Sequence, residues 1–325
     1  MPKVSIVVPA YNSARTLAET LASLSAQTFP DFEIVVVDDG STDDTAKIAR
    51  AHDDPRLRLV RQINRGLAGA RNSGIAHARG VYIGFCDADD LWMPDKLAAH
   101  LAHLDANPLV GLSYAGSALI DANSDPLGMY QRPRLGGISA QHVFKRNPVG
   151  NGSAAVMRRA ALESIAWRPA QEKTRDWWFD ETFRQSEDVE CWLRLALGTD
   201  WMIEGVAGAL TLYRVNAAGL SANTDAQFAT WERMVAKLAP LYPDFFAAHA
   251  PAARAYQLRY LSRRAISARD GRAAWQLARR SLQASWRPLL EEPAKTVVTL
   301  GAAAVLRVCG PALVNRAQSL LLRKA

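Results

Sequence analysis

An α/β fold built on a mainly parallel sheet with helices on both faces is what this sequence predicts, and two observations in its first 110 residues predict it. Strand-like and helix-like stretches alternate there, and the segment after each strand is polar or acidic. The stretch Val81-Tyr82-Ile83-Gly84-Phe85-Cys86 has the continuous apolar character of a strand covered on both faces. Right-handed crossovers then bring the segments that follow the strands to one edge of the sheet, where open α/β folds bind ligands.

In order, residues 4–9 read as a strand, 14–27 as a helix, 33–38 as a strand, 43–52 as a helix, 57–61 as a strand, 67–78 as a helix and 81–86 as a strand. Three strand-helix units and a fourth strand result. The edge segments are Ala10-Tyr11-Asn12, Asp38-Asp39-Gly40-Ser41, Asn64-Arg65-Gly66 and Asp87 to Asp90. A helix is expected from about Pro94, a strand at 112–120, a polar turn at 121–128, and a Gly/Asn loop at 147–152 leading into a strand at 153–157. After the aromatic block Trp167, Trp177, Trp178 and Phe179 comes a helix from Ser186 whose first turn is acidic, which suits the helix dipole. Residues 201–213 read as strands closing the domain, and from about Gln227 the pattern is helical. These readings divide the chain into an α/β domain at 1–225 and a basic helical region at 226–325.

Composition narrows the function classes. Three cysteines, Cys86, Cys191 and Cys309, lack metal-ligand spacing and form no even set, so neither a zinc site nor a disulfide framework is expected and a reducing cytosol fits. The N-terminal apolar run is short and ends at Pro9, as a first strand would and a secretion signal would not. Charge is uneven: residues 226–325 hold 16 Lys or Arg against 5 Asp or Glu, while the rest holds 23 against 27. The excess of positive charge belongs to the helical region and points to an anionic partner, either a membrane surface or nucleic acid.

The candidate chemistry starts with Asp87-Ala88-Asp89-Asp90 at the end of an apolar strand. Asp87 and Asp89 are close enough to share one hard divalent ion, although a solvated turn has the same composition. Taken together, Val4-Ser5-Ile6-Val7-Val8-Pro9-Ala10-Tyr11-Asn12, Val37-Asp38-Asp39-Gly40-Ser41, Asn64-Arg65-Gly66-Leu67-Ala68-Gly69-Ala70-Arg71-Asn72, Asp87-Ala88-Asp89-Asp90 and Glu187-Asp188 resemble, in order and spacing, the family 2 glycosyltransferases. The resemblance covers about residues 3–215 and implies the GT-A fold. It further implies an inverting transfer from a nucleotide-sugar donor, UDP-linked by expectation, to a glycan or lipid-linked acceptor in surface polysaccharide synthesis.

On that resemblance Pro9, Tyr11, Asn12, Asp39, Gly66 and Arg71 line the donor, with Asp39 on the nucleobase. Asp89 is the direct ligand of Mg²⁺ or Mn²⁺, Asp87 lies nearer the ribose, Asp188 is the general base and Glu187 its neighbour. Asn216 stands where many relatives carry a histidine, and Arg214 offers a substitute charge. The aromatic block suits either an acceptor sugar or the core. Trp275 and Trp286, with the arginines of 254–287, suggest helices lying on the inner face of the plasma membrane, the segment 296–314 being too interrupted to span it. A sugar nucleotidyltransferase is the alternative enzyme, disfavoured because no Gly-rich basic loop follows the first strand. A nucleic-acid-binding protein is disfavoured because the sheet edge is acidic.

Overall fold

The computed structural model describes residues 1–215 and 224–322, with side chains through 310. Its strands and helices are β1 (Val4–Ala10), α1 (Leu17–Ser25), β2 (Phe32–Asp38), α2 (Thr45–Ala51), β3 (Leu57–Arg61), α3 (Gly66–His77), β4 (Tyr82–Phe85), β5 (Leu91–Trp92), α4 (Lys96–Ala106), β6 (Val110–Ile120), β7 (Pro126–Gln131), α5 (Ala140–Lys145), β8 (Ala155–Arg158), α6 (Arg159–Glu163), α7 (Glu187–Gly198) and β9 (Met202–Arg214). Then follow α8 (Thr224–Leu238), α9 (Pro243–Ser267), α10 (Gly271–Ala284), α11 (Arg287–Glu291) and α12 (Pro293–Leu322). The chain forms two units, Met1–Val143 with Asn147–Ala217, and Phe144–Arg146 with Ala218–Ala325.

In the first unit the strands run β3-β2-β1-β4-β8-β6-β9-β5, with β7 paired to β6. Pairing is parallel across β3-β2-β1-β4, as the alternation predicts. Beyond β4 the sheet is mixed: β8 runs antiparallel to both β4 and β6, while β6 and β9 are parallel. The apolar strand residues are buried on both faces. On one side Val4, Ile6 and Val8 pack with Leu17, Leu21 and Leu24 of α1; on the other Val35 and Val37 meet Ala70 of α3.

Helix α3 approaches the sheet very closely. Small residues Ala68, Gly69, Ala70, Ser73 and Gly74 are all buried, and a Cβ at Gly74 would run into the Val7 side chain. The sheet registers Pro9 with Val37 and Ala10 with Asp38, so β1 and β2 end together and their exits share one edge. The stretch read as several closing strands is the single strand β9, whose ladder with β6 shifts register between Ala115 and Ser117, opposite residues 206–211, which include Gly208.

The second unit is helical. Helices α9 and α10 pack through Leu258, Leu261, Ala265, Ala274, Leu277 and Ala278, joined by Ala303 of α12. Ser262 Oγ donates to Ala274 O at 2.9 Å and Ser281 Oγ to Ala255 O at 2.7 Å, pinning the pair. Asp270 caps α10 by accepting from Ala273 N at 2.9 Å. Helix α12 bends at Gly310, whose φ of 69° is readily adopted only by glycine. Its Pro293–Gly310 segment is long and apolar enough, by length and composition, to cross a membrane, and only 22% of it is buried.

Candidate active site

The turn after β4 is held from beneath. Asp90 N donates to Asp87 O at 3.0 Å and closes it, while the Asp90 carboxylate is 1% exposed. Ser153 Oγ donates to Asp90 Oδ2 at 2.5 Å and accepts from Asp87 N at 2.9 Å. Arg214 N donates to Asp90 Oδ1 at 2.9 Å, and Arg214 Nε to Asp89 O at 2.7 Å. Burial, with Asp89 and Asp87 adding like charge, pushes the Asp90 carboxyl well above its ordinary range. Asp90 therefore supports the turn, leaving Asp87 and Asp89, both part-exposed, on its outer side. The Arg214 charge is engaged internally, since its guanidinium also meets Asp121 O, Ser124 Oγ and Glu19 Oε2. Asn216 lies outside the described residues.

Arg71 of α3 organises the centre. Its side chain is 2% exposed, donating to Asp87 Oδ1 at 2.8 Å and to Glu187 Oε1 at 2.5 Å. Residues 16 and 116 positions away are thereby joined through one guanidinium. A Cβ at Gly152 would collide with that guanidinium, so glycine is required for Arg71 to lie there. The described hydrogen-bond partners of Arg71 are thus carboxylates of the site itself, and its guanidinium lies 5.5 Å from the centroid of the Phe179 ring.

Glu187 and Asp188 open α7, after Ser186 in a left-handed conformation (φ 56°). Glu187 is 4% exposed, and burial raises its carboxyl to about 7, with Arg71 opposing and the Asp188 charge assisting. Asp188 is half-buried and accepts from Val189 N at 2.8 Å; lost hydration raises its carboxyl too, again against Arg71. A carboxylate raised in this way is a better proton acceptor near neutral pH than a solvated one.

On the β2 side Asp39, 2% exposed, accepts from Gln62 Nε2 at 2.6 Å, Arg65 N at 2.8 Å and Gly66 N at 2.8 Å. It caps α3 and fixes the loop that contains Gly66 (φ 78°). Asn12 (φ 49°) accepts from Thr42 N at 2.9 Å, joining the β1 and β2 exits, and Tyr11 beside it is 52% exposed. Pro9 sits within β1. The edge thus gathers Tyr11, Asn12, Asp39, Gly66, Asp87 and Asp89, with Arg71 beneath and Glu187-Asp188 across.

Three of the four residues of the aromatic block belong to the core, while Trp167 is half-buried. Trp177, Trp178 and Phe179 are 7%, 5% and 1% exposed, and Asn72 clamps their backbone by accepting from Trp178 N and Phe179 N and donating to Phe179 O at 2.8 Å. The sequence reading missed the acids around this clamp: Glu181 pairs Arg65 at 2.9 Å and Arg175 at 2.6 Å, and Glu172 pairs Arg65. Only the density of acids and arginines around the tryptophans hinted at them.

A divalent metal fits this donor set. Among the described residues no three carboxylates, histidines or cysteines converge as ligands. Two carboxylates on one tight turn, with Arg71 engaging only Oδ1 of Asp87, would suit a hard cation that takes further oxygen ligands.

Residues 5–166 match the profile of glycosyl transferase family 2. The chain belongs to that family. An Escherichia coli relative, UDP-Glc:alpha-D-GlcNAc-diphosphoundecaprenol beta-1,3-glucosyltransferase WfgD, is 27% identical over 68% of this chain and 80% of its own. Staphylococcus aureus TarS 1-349, solved in complex with UDP-GlcNAc, superposes with a TM-score of 0.60 at 20% identity over 94% of this chain and 91% of its own. Mannosyltransferase PcManGT of Pyrobaculum calidifontis, solved with GDP-Man and Mn²⁺, gives a TM-score of 0.56 at 24% identity over 94% and 87%. The fold of this family 2 chain is accordingly GT-A. Against several other curated relatives the chain spans only 18–22% of their length.

Proposed function

We propose that this protein transfers a sugar from a nucleotide-diphosphate donor, UDP-linked, to a hydroxyl of a glycan or lipid-linked acceptor, with inversion at the anomeric carbon. The observation that carries the reading is the Arg71 bridge, which sets the strand-end turn of Asp87 and Asp89 beside the acidic start of α7. Donor leaving group and acceptor proton must be handled within a few ångströms of each other, and these two clusters supply opposite ends of that task.

Asp89 and Asp87 would hold Mg²⁺ or Mn²⁺. Such an ion, when bound, offsets the negative charge that gathers on the departing diphosphate. Asp188 takes the proton from the acceptor hydroxyl as it attacks the anomeric carbon from the face opposite the leaving group. Glu187, fixed by Arg71, holds the first turn of α7 in place beneath that base. Asp39 keeps the 64–66 loop in shape, and its Oδ2, engaged by one amide, keeps a lone pair for a nucleobase donor. Pro9, Tyr11, Asn12 and Gly66 form the backbone and ring surface against which the nucleotide lies.

The names of WfgD and of the TarS complex support a UDP-linked donor, and that of WfgD supports a lipid-diphosphate acceptor. With the basic helical region, they support a peripheral position at the inner face of the plasma membrane in surface polysaccharide synthesis. The test is thermal unfolding of the purified protein with UDP, GDP, CDP and TDP, each with and without Mn²⁺. A ligand at a hundred times its Kd stabilises by about 2.7 kcal/mol. Stabilisation by UDP that needs Mn²⁺ is expected; no response to any diphosphate in either condition would overturn the donor site.

A further inference from the structure

We infer that the second unit carries a binding site for the headgroup phosphates of anionic phospholipids, a cleft between α10 and α12 next to an apolar stripe that enters the bilayer interface. This deepens, and rests on, the reading of the enzyme as peripheral to a membrane. The cleft has a volume of about 990 Å³ and is lined by Arg272, Trp275 and Arg279 of α10 and by Leu306, Arg307 and Val308 of α12.

Charge makes the cleft unusual. None of the residues lining it is an acid: Glu232 pairs Arg254, Glu291 pairs Lys145 and Arg287, Glu292 pairs Arg146, Arg259 and Lys295, Asp270 caps α10, Asp244 sits in the first turn of α9, and Asp225 of α8 lines a separate groove that shares Arg279. Among the described residues Arg272, Arg279 and Arg307 have no ion pair, and all three are exposed. Three guanidinium forks converging on one concavity without a carboxylate suit phosphate oxygens, which accept paired hydrogen bonds from such forks.

The adjoining surface selects a bilayer over other anions. Along α11 and α12 Leu290 is 76% exposed, Val298 70% and Val308 85%, with Trp286 at 63%. On α12 Val297, Val298, Gly301, Val305 and Val308 recur at helical spacing on one exposed face, opposite the buried Thr296, Thr299, Ala303 and Leu306. Val308 belongs to both stripe and cleft. Nucleic acid has no use for an apolar stripe beside its phosphates, whereas a bilayer interface offers anionic headgroups and acyl chains together, with tryptophan favoured at the boundary.

The test is co-sedimentation of the full chain with vesicles of phosphatidylcholine alone and with phosphatidylglycerol added. Wild type should pellet with the anionic vesicles and remain soluble with the neutral ones. Combined Arg272→Gln, Arg279→Gln and Arg307→Gln should weaken partitioning roughly a hundredfold, whereas Lys47→Gln, Arg50→Gln and Arg132→Gln, with the same charge change on the first unit, should do so far less. Val298→Ser with Val308→Ser should make the remaining binding far more sensitive to salt. Equal losses from the two triple variants would overturn the cleft while leaving a peripheral enzyme. Wild type that pellets with neither vesicle would overturn both, as would retention on RNA alone or response to inorganic phosphate alone. Vesicle-bound protein resisting alkaline carbonate would show a spanning α12 and overturn the interfacial stripe. UDP-dependent thermal stabilisation, followed in the same variants, reports the donor reading separately and should be unchanged.

Discussion

Two ion clusters in this protein have opposite stoichiometry. Around Arg71 one buried guanidinium faces Asp87, Glu187 and Asp188; around Glu292 one carboxylate faces Arg146, Arg259 and Lys295. In the first cluster carboxylates outnumber cations in a dry place, so a carboxyl there rises far enough to exchange protons near neutrality. In the second, burial opposes ionisation, but hydrogen bonds from Arg259 and Lys295 hold Glu292 down to about 2. Excess acid suits chemistry on a bound substrate. Excess cation, with the acids already engaged, leaves arginines free for an external anion.

The largest effect expected from breaking the first cluster is at Asp188, the proposed base. Asp188→Asn keeps shape and removes the proton acceptor, so kcat should fall by about 10²–10⁴, while the Kd for UDP with Mn²⁺, measured by calorimetry, stays within about twofold. Normal turnover would remove Asp188 from the mechanism.

Next comes the buried cation. Arg71→Met leaves the buried Glu187 and the part-exposed Asp87 without their partner, which should cost about 3–5 kcal/mol in chemical unfolding. Adding Glu187→Gln removes one of the stranded charges and should restore part of that loss, and the double-mutant cycle reads the coupling. Additive losses would mean that the two groups do not share a charge balance.

These expectations could be only half formed from sequence. Strands β1, β2 and β4 are legible because they are mostly apolar and buried along their length, β3 more faintly because Arg58 and Arg61 interrupt it, and the acids after β4 and at the start of α7 stand out against apolar neighbours. That Arg71 turns inward is not legible: its partners come from two distant segments, and nothing in Gly69-Ala70-Arg71-Asn72 says which way a helical arginine points. Strand β7 was hidden for the opposite reason. Pro126 to Tyr130 are exposed and lie beside a genuine turn at Asp121, so turn chemistry masked an edge strand that only its pairing with β6 reveals. In the second unit, helical spacing could not separate Arg254 and Arg259, engaged with Glu232 and Glu292, from Arg272 and Arg279, which face outward.

A smaller effect should come from the support beneath the turn after β4. Arg214→Lys retains a charge for Glu19 but loses the fork that grips Asp89 O, Asp121 O and Ser124 Oγ together. The expected outcome is a loss of about 1–3 kcal/mol in stability, of the size of charged hydrogen bonds, with UDP affinity falling more in the presence of Mn²⁺ than in its absence. An equal fall in both conditions would place Arg214 in general folding alone.

The comparison is sharpest, though smallest in size, in its response to pH. Glu187 has a folded value raised from 4.5 to about 7, so the folded protein holds more protons than the unfolded chain in that window. Its contribution to stability is present below about 4.5 and is lost as pH rises through 7. Glu292 is lowered from 4.5 to about 2, so its contribution is present above 4.5 and is lost as pH falls toward 2. Its carboxylate is partly exposed, which screens the effect and makes it the weaker of the two. Denaturant unfolding followed from pH 3 to 8 should therefore show Glu187→Gln flattening the slope between about 4.5 and 7, and Glu292→Gln flattening it only on the acid side. A Glu187→Gln variant that kept the wild-type slope would mean that Arg71 holds Glu187 ionised throughout, and the excess of acid at the site would then be shared by Asp87 and Asp188 alone.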